Sequence, residues 1–327
     1  MRRVLVLLLL FLLIGAKLDS KNTTIKIGII NSYDFRYPCG RLQLLGFLDA
    51  LKTDYKYHNY LIEAYYMRAK TTNITQAQLL EQQNYALKFI KNINPTIIYC
   101  VDDPAFYYVG CKLKTNKQII FSGINQPYSY YKCNSKNISG VEEFIDYSKL
   151  KKLLRQTNIN TIIIFSSKSQ SLTEKGYILE TTTQLKDYKI IKVYNDSDKD
   201  IINNIKKYCN DKSNLAIIAA QRVYSFDKRK YLNLAEICRL FVEYNRTCLE
   251  VSGNPFFTKR PGIALTISPD FYRMGFEAGI LAIKSQTNYT HKIIKPKNIL
   301  TCNYKRLQEL GFEELYLNNP QLFDKVR

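Results

Sequence analysis

The sequence contains no tryptophan, two histidines and three methionines in 327 residues. The histidines, His58 and His291, stand in separate polar stretches, so a histidine-based catalytic triad or metal site has little support. The chain also lacks a GxGxxG string, a P-loop and a GxSxG string, which mark common nucleotide-binding and hydrolase sites. These absences argue against an enzyme and predict neither a cofactor nor a bound metal.

Long apolar runs are also scarce. The N-terminal stretch MRRVLVLLLLFLLIGA has two arginines, an apolar run and then small residues, which is the layout of a secretory signal peptide. The run is shorter than the roughly 20 residues that a spanning helix needs, and no later run approaches that length. We therefore predict a signal peptide at residues 1–20 and a secreted or periplasmic protein. An uncleaved membrane anchor is the alternative.

Cysteines are present, but their spacing excludes common metal and redox motifs. None of the eight cysteines forms a CxxC pair or a zinc-ligand pattern. An even number in an oxidising compartment permits disulfides, although some of these residues could simply be small and buried. The first pairings to expect are Cys111 with Cys133 and Cys238 with Cys248, with Cys100 and Cys209 as candidates for plain burial.

Basic residues outnumber acidic residues in this chain. Lysine and arginine total 48 against 28 aspartates and glutamates, which gives a formal charge of +20. Such a charge favours anionic partners such as a membrane surface or an acidic ligand, but it is also typical of a solvated surface. The lysines are scattered along the chain rather than gathered in one stripe, so we expect no nucleic-acid partner.

Apolar β-branched stretches alternate with stretches of helical spacing along the rest of the chain. Strands are predicted at 25–31, 59–67, 96–100, 118–124, 160–167, 189–195, 215–221, 247–253 and 262–268. Helices are predicted at 40–51, 76–93, 147–158, 172–185, 201–208, 231–244 and 269–285, and a strand and short helix at 298–312. This order predicts an α/β protein with two doubly wound lobes of mainly parallel sheet.

One strand ends in an unusual way. The run QIIFSGINQP breaks from buried apolar residues into Gly123, Asn125 and Gln126. Loops at the carboxyl ends of parallel strands are where ligands are held, so these residues are candidates to contact one. An ordinary turn also uses glycine, asparagine and proline, and this alternative stays open.

Four stretches in a fixed order resemble the substrate-binding proteins of ABC transporters with the type I periplasmic-binding-protein fold, especially the tryptophan-binding-like branch. They are KIGII, FSGINQP, GIALTISPDFYRMGFEAG and NYKRLQELGF, and the match spans roughly residues 25–315. The resemblance implies two lobes joined by a hinge that close on a small molecule without chemistry. Residues 25–141 plus 264–286 would form the first lobe, and 142–263 plus 287–327 the second.

The same resemblance implies a monomeric protein that delivers a small organic ligand to an ABC permease in the membrane. The ligand would be similar to an amino acid. A sensor for a separate membrane signalling partner is the alternative, and an enzyme is a more distant one. The predicted ligand contacts are Asn31, Ser32, Tyr33, Asp102, Asp103, Gly123, Asn125, Gln126, Ser167, Arg222, Asn254 and Asp270.

Three of these contacts have specific expected roles. Asp102 or Asp103 would cap the helix that Pro104 begins, and Asp103 would meet a ligand ammonium. Arg222 would pair with a ligand carboxylate, although a plain surface arginine is an equal alternative. Where the family often has an aspartate before the proline of FSGINQP, this chain has Gln126, which removes one carboxylate.

Overall fold

A computed structural model of the chain describes residues 24–54, 59–70, 74–220, 222–254, 257–286 and 291–327. The predicted signal peptide, residues 1–20, and His58 lie outside the described residues. No helix within the described ranges is long and apolar enough to cross a membrane.

Strands form where β-branched and aromatic residues run together, because these side chains suit a pleated surface. The strands are β1 Thr24–Asn31, β2 Asn59–Tyr66, β3 Ile97–Val101, β4 Gln118–Ile124, β5 Ile138–Glu142, β6 Thr161–Ser167, β7 Lys189–Asn195, β8 Asn214–Ile218, β9 Val223–Ser225, β10 Lys230–Leu232, β11 Leu249–Ser252, β12 Leu265–Pro269, β13 Ile293–Ile294, β14 Asn298–Cys302 and β15 Lys325–Val326.

Helices follow most of these strands, and several begin at a polar cap. The helices are α1 Pro38–Leu51, α2 Gln76–Ile93, α3 Asp102–Pro104, α4 Ser148–Leu154, α5 Leu172–Gln184, α6 Asp198–Tyr208, α7 Leu234–Tyr244, α8 Phe271–Lys284, α9 Tyr304–Leu310 and α10 Glu314–Leu317. Short π or 3₁₀ segments lie at Ala105–Val109, Gly110–Lys112, Tyr128–Tyr131 and Pro320–Leu322. In α2, Thr75 and Gln78 form a capping box, which satisfies backbone donors at the start of the helix.

The first sheet has the order β13-β5-β4-β3-β1-β2, and the five pairings between these strands are all parallel. Apolar clusters cover both of its faces, as a parallel sheet requires. Strand β1 pairs with β2 on one side and with β3 on the other, so the chain changes direction across the sheet after β2. The exits of β1 and β3 therefore form a switch point, where α/β proteins usually bind ligands.

The second sheet has the order β15-β14-β12-β11-β8-β6-β7 and is parallel except between β12 and β14. Its two faces are also covered by apolar clusters. Strands β9 and β10 form a separate antiparallel ribbon. Two mainly parallel sheets, each flanked by helices, confirm the predicted fold class.

Helices α1 and α8 pack very closely on the first sheet. A Cβ atom added at Gly275 would lie 1.8 Å from the carbonyl oxygen of Gln43, and one at Gly46 would lie 2.0 Å from that of Tyr272. Larger side chains would push the helices apart. Gly275 and Gly279, four residues apart in α8, thus allow the helix to lie close to the backbone of α1.

The two sheets exchange segments at the predicted lobe boundaries. Leu265–Pro269, predicted in the first lobe, pairs in the second sheet, whereas Ile293–Ile294, predicted in the second, pairs in the first. The connections between sheets are bonded to each other, since Asp270 N donates to Lys297 O at 3.1 Å and Asn298 Nδ2 to Phe144 O at 2.9 Å. The division into two hinged lobes itself stays a prediction.

One of the two expected disulfides is present. Cys111 and Cys133 are bridged. The expected pairing of Cys238 with Cys248 is wrong, because the Cys238 thiol lies 3.8 Å from Ser252 Oγ while Cys248 interacts with the thiol of Cys209. Cys100 and Cys209 are buried and form no disulfide, which confirms the expectation that they are small buried residues.

Candidate ligand-binding cleft

A cavity of about 220 Å³ lies where the carboxyl ends of strands from the two sheets face each other. Tyr33 after β1 and Asn125 after β4 line it from the first sheet. Ala219 after β8 and Asn254 after β11 line it from the second. We call this cavity the cleft. It brings together three predicted contact residues, Tyr33, Asn125 and Asn254, whose contact with a ligand stays a prediction.

Aromatic rings form much of the cleft wall. Tyr33 and Tyr37 stack with their ring centres 4.7 Å apart, and Tyr177 and Phe271 line the cavity as well. The hydroxyl of Tyr33 donates a hydrogen bond to Asp102, which fixes the ring against the floor of the site. Burial and then the nearby Asp102 carboxylate raise the pKa of Tyr33, so the phenol stays protonated.

A lysine that the sequence analysis did not single out lies at the centre of the site. Lys70 Nζ is 2.6 Å from Asp102 Oδ1, 3.7 Å from Asp103 Oδ2 and 2.6 Å from Thr173 Oγ1. Burial alone would lower the pKa of Lys70, but the two carboxylates outweigh it and the pKa rises above its ordinary value. Lys70 is therefore a charged group that is already paired.

The two aspartates are buried acceptors rather than a helix cap. Helix α3 begins at Asp102 with Val101 before it and no side-chain capping bond, so the predicted cap is wrong. Both carboxylates point to Lys70 instead, and Asp102 adopts the left-handed region with φ +73°. Asp103 Oδ1 accepts from Asn125 N at 3.1 Å and from Tyr131. Burial raises the pKa of Asp103 to about 6, opposed by Lys70.

Two glutamates add further carboxyl groups to the cleft wall. Glu143 follows β5, and Glu180 lies on α5 with its Oε2 accepting from Ile145 N at 2.9 Å. Burial and then Asp102 hold the pKa of Glu143 well above its usual range. Burial raises the pKa of Glu180 to about 8. Both raised pKa values have the same cause, because burial makes the ionised carboxylate unfavourable.

The FSGINQP loop meets the second sheet's helix α5 at the edge of the cleft. A Cβ atom added at Gly176 would lie 2.1 Å from the carbonyl oxygen of Asn125, so only glycine allows this approach. Gln126 lies 7% exposed beside a neighbouring cavity that also shares Asn125 and Glu143. The loop is thus a contact between the sheets as well as part of the cleft wall.

Other predicted contact residues have structural roles away from the cavity. Ser32 Oγ donates to Val101 O at 2.6 Å and accepts from Ala105 N at 2.8 Å, which joins β1 to the exit of β3. Asn31 Oδ1 accepts from Tyr33 N at 3.0 Å. These bonds shape the backbone that carries Tyr33 and Asp102.

The remaining residues on the predicted list also lie outside the cleft. Gly123 has φ +82° and faces the Gln43 side chain, so its conformation rather than a ligand explains the glycine. Ser167 Oγ accepts from Arg222 N at 2.8 Å. Asp270 caps α8 by accepting from Arg273 N at 3.1 Å.

The structure places Arg222 in a different cavity. That cavity, of about 560 Å³, also contains Asp196 and Asp200. The Arg222 guanidinium lies over the ring of Tyr231 at 4.9 Å. Arg222 is therefore not positioned to pair with a carboxylate in the cleft.

Three charged residues of the cleft, Lys70, Glu143 and Glu180, were absent from the predicted list. Lys70 and Glu143 each follow a strand of the first sheet, so extending the strand-exit rule to β2 and β5 would have found them. Glu180 lies within a helix and reaches the cleft through packing between the sheets, for which the sequence offers no local signal.

Comparisons with family models and with curated proteins find no match. Solved structures do match. An ABC domain in complex with L-Trp from Streptococcus pneumonia is 15% identical with a TM-score of 0.66, covering 93% of this chain and 100% of that one. An open, ligand-free substrate-binding protein with adhesive properties from Clostridium difficile is 14% identical with a TM-score of 0.64, covering 89% and 96%.

Proteins described as having a different function also match this fold. A transcription regulator like protein from Staphylococcus haemolyticus is 14% identical with a TM-score of 0.54, and the match covers 84% of this chain and 97% of that one. At such identities the likeness defines the fold alone. The chain has the type I periplasmic-binding-protein fold that the sequence resemblance predicts.

Proposed function

We propose that this chain is an exported solute-binding protein that captures a small organic molecule in the cleft and delivers it to an ABC permease. The observation that carries the proposal is the cleft itself, which residues from the strand exits of both sheets line around one cavity. Ligands bind at such switch points in α/β proteins. Solved proteins of the same fold include an ABC domain in complex with L-Trp.

Closure of the two lobes around the ligand is the mechanism of capture. A ligand that touches both walls stabilises the closed arrangement relative to the open one by its differential affinity. Tyr33 and Asn125 would contact it from one side, and Asn254 from the other. Among the described residues that line the cleft none is a histidine, and the proposed role is binding without a reaction.

A thermal-shift screen of the purified protein tests ligand capture. Sugars, amino acids, nucleosides, amines and small anions are each added in excess. A ligand at about 100 times its Kd stabilises the folded state by about 2.7 kcal/mol, which raises Tm by several degrees. Failure of every class to shift Tm in a protein shown to be folded would count against solute binding.

Uptake in the source organism tests delivery. Deleting the gene should abolish uptake of the radiolabelled ligand found in the screen, because the permease would lose its donor. Normal uptake in the deletion strain, with ligand-dependent gene expression lost instead, would replace delivery by a sensing role. The exported location is checked by N-terminal sequencing of the mature protein, which should start after the predicted signal peptide.

A further inference from the structure

The cleft wall contains more acidic side chains than basic ones. Glu143 and Glu180 both line it, whereas Lys70 alone carries a positive charge among the described residues of its wall. Lys70 is already paired with Asp102 at 2.6 Å and lies 3.7 Å from Asp103. Lys70 and Lys295 act on Glu143 and Glu180 respectively, but neither glutamate forms a close ion pair among the described residues. A ligand entering the cleft therefore meets more acidic than basic groups, inside a chain whose overall charge is strongly positive.

A buried acceptor in the same wall also lacks a donor. Asn125 is 8% exposed and lines the cleft, and its Oδ1 has no hydrogen-bond partner within the described part of the chain. Leaving such an acceptor unpaired costs about 1–3 kcal/mol. An N–H group of a ligand would satisfy it, and an oxyanion would not.

The aromatic rings of the cleft suit the same kind of ligand. Tyr37, Tyr177 and Phe271 line the cavity beside the glutamates. Ring faces attract cations and provide apolar contact for the rest of an organic molecule. Carboxylates together with aromatic rings match a positively charged group on an apolar body.

A ligand carboxylate has no comparable partner. Arg222, the residue expected to bind one, lies in a different cavity over Tyr231. Lys70 already interacts with Asp102, Asp103 and Thr173. An amino acid in the cleft would therefore place its carboxylate beside Glu143 or Glu180, which repel it when they are ionised and attract a cation instead.

We propose that the cleft selects small organic cations, molecules that carry a protonated amine on an apolar body and no carboxylate. This inference rests on the proposed function and specifies the ligand class of the same site. It also replaces the amino-acid-like ligand expected from the sequence with a ligand of net positive charge.

Matched probes test the charge directly. Isothermal titration at pH 7 compares 2-phenylethylamine, phenylalanine, 3-phenylpropionate and 2-phenylethanol, which share an aromatic body and differ in charge; a diamine extends the cation set. We expect the hits to be cations, with phenylalanine and 3-phenylpropionate at least about tenfold weaker, since a charge-assisted bond contributes about tenfold or more.

The outcomes separate this inference from the proposed function. Binding of phenylalanine or 3-phenylpropionate as tightly as the amine overturns the charge selection and leaves solute binding intact. Absence of binding by every cation also overturns it. The broader screen of sugars, nucleosides and amino acids then decides whether solute binding fails as well.

Substitutions locate the charge in the cleft. Glu143→Gln keeps the side-chain shape and removes the carboxylate, so affinity for the tightest cation should fall about tenfold to a hundredfold. Glu180→Gln makes the same test if the first variant does not fold. Glu81→Gln, on the exposed face of α2, is the control and should bind as the unaltered protein does. Equal affinity in both cleft variants would refute the assignment.

Discussion

Lys70 Nζ lies 2.6 Å from Thr173 Oγ1 and 2.6 Å from Asp102 Oδ1, so one ammonium group joins the two halves of the molecule. Lys70 follows β2 of the first sheet, and Thr173 lies in the first turn of α5, which follows β6 of the second. The contact crosses the cleft, which both residues line. It is present in this arrangement of the two sheets and must break if the sheets separate.

Thr173→Val should therefore favour opening. Valine keeps the size of threonine but removes the acceptor, and a hydrogen bond to a charged group contributes about 1.5–3 kcal/mol. We expect ligand affinity to fall about tenfold or more, mostly through faster dissociation, while Tm of the free protein changes little. Titration and stopped-flow dissociation measure both effects.

Thr182→Val is the matched control for this change. Its Oγ1 donates to Leu179 O at 3.1 Å within the same helix and does not cross the cleft. If both variants bind equally, the bond between Lys70 and Thr173 makes no contribution to closure.

Gly176→Ala should obstruct closure sterically. Its Cβ would lie 2.1 Å from the carbonyl oxygen of Asn125, which is backbone and cannot rotate away. Alanine favours a helix over glycine by about 1 kcal/mol, so α5 itself should be no less stable. We expect a larger radius of gyration by small-angle scattering and at least a tenfold loss of affinity.

Lys175→Ala, at the exposed neighbouring position of α5, is the control for the glycine variant. It should leave both the radius of gyration and the affinity unchanged. A Gly176→Ala protein that is as compact as the unaltered one would show that α5 and the FSGINQP loop adjust locally.

Some regular segments were predicted to the residue, whereas the helix predicted at 147–158 is Ser148–Leu154 and the strand predicted at 215–221 is Asn214–Ile218. The strand at 118–124 and the helix at 76–93 have the predicted bounds because apolar runs and a capping box mark them. The helix predicted at 231–244 begins instead at Leu234. Asn233 and Glu236 form a capping box there, a signal present in the sequence that places the start correctly. Tyr231 belongs to the ribbon strand β10.

The composition of the site was harder to predict than its place. The exits of β1, β4 and β11 were expected to meet, and Tyr33, Asn125 and Asn254 line one cavity. The sequence did not indicate that Arg222 leaves this cavity, because its direction depends on the ribbon β9–β10. Nor did it indicate Glu180, which tertiary packing alone brings to the cleft.

Lys70→Met should destabilise the protein in a pH-dependent way. It leaves Asp102 and Asp103 buried without their cation, and breaking a buried ion pair from one side costs about 3–5 kcal/mol. The pKa of Asp103, already raised to about 6, should rise further. A raised folded pKa favours folding when the group is protonated, and this stability is lost as pH rises from about 4 through the folded value.

The loss of unfolding free energy caused by Lys70→Met should consequently be small near pH 4.5 and large near pH 7.5. Urea unfolding at both values measures it. Lys52→Met, which removes the exposed pair with Asp49, should leave the free energy of unfolding nearly unchanged at either pH. A pH-independent loss would mean that the aspartates find other partners.

Binding of an organic cation should release protons. The pKa of Glu143 is held well above its usual range and that of Glu180 at about 8, in both cases mainly by burial. Both raised pKa values favour the protonated forms, and a bound cation would displace protons because it stabilises the carboxylate forms. The titratable groups facing Glu143 are Tyr33, Tyr37, Cys39, Lys70, Asp102, Asp103 and Glu180. Those facing Glu180 are Glu142, Glu143, Tyr147, Tyr177 and Lys295.

The sign follows from these shifts. Affinity for 2-phenylethylamine should increase from pH 6 to pH 8, since fewer protons then have to leave the carboxyl groups. Titrations in two buffers of different ionisation enthalpy should show up to about one proton released at pH 7, and Glu143→Gln should reduce that number. Proton uptake on binding, or an affinity that falls over this range, would mean that the ligand's positive charge does not face these glutamates.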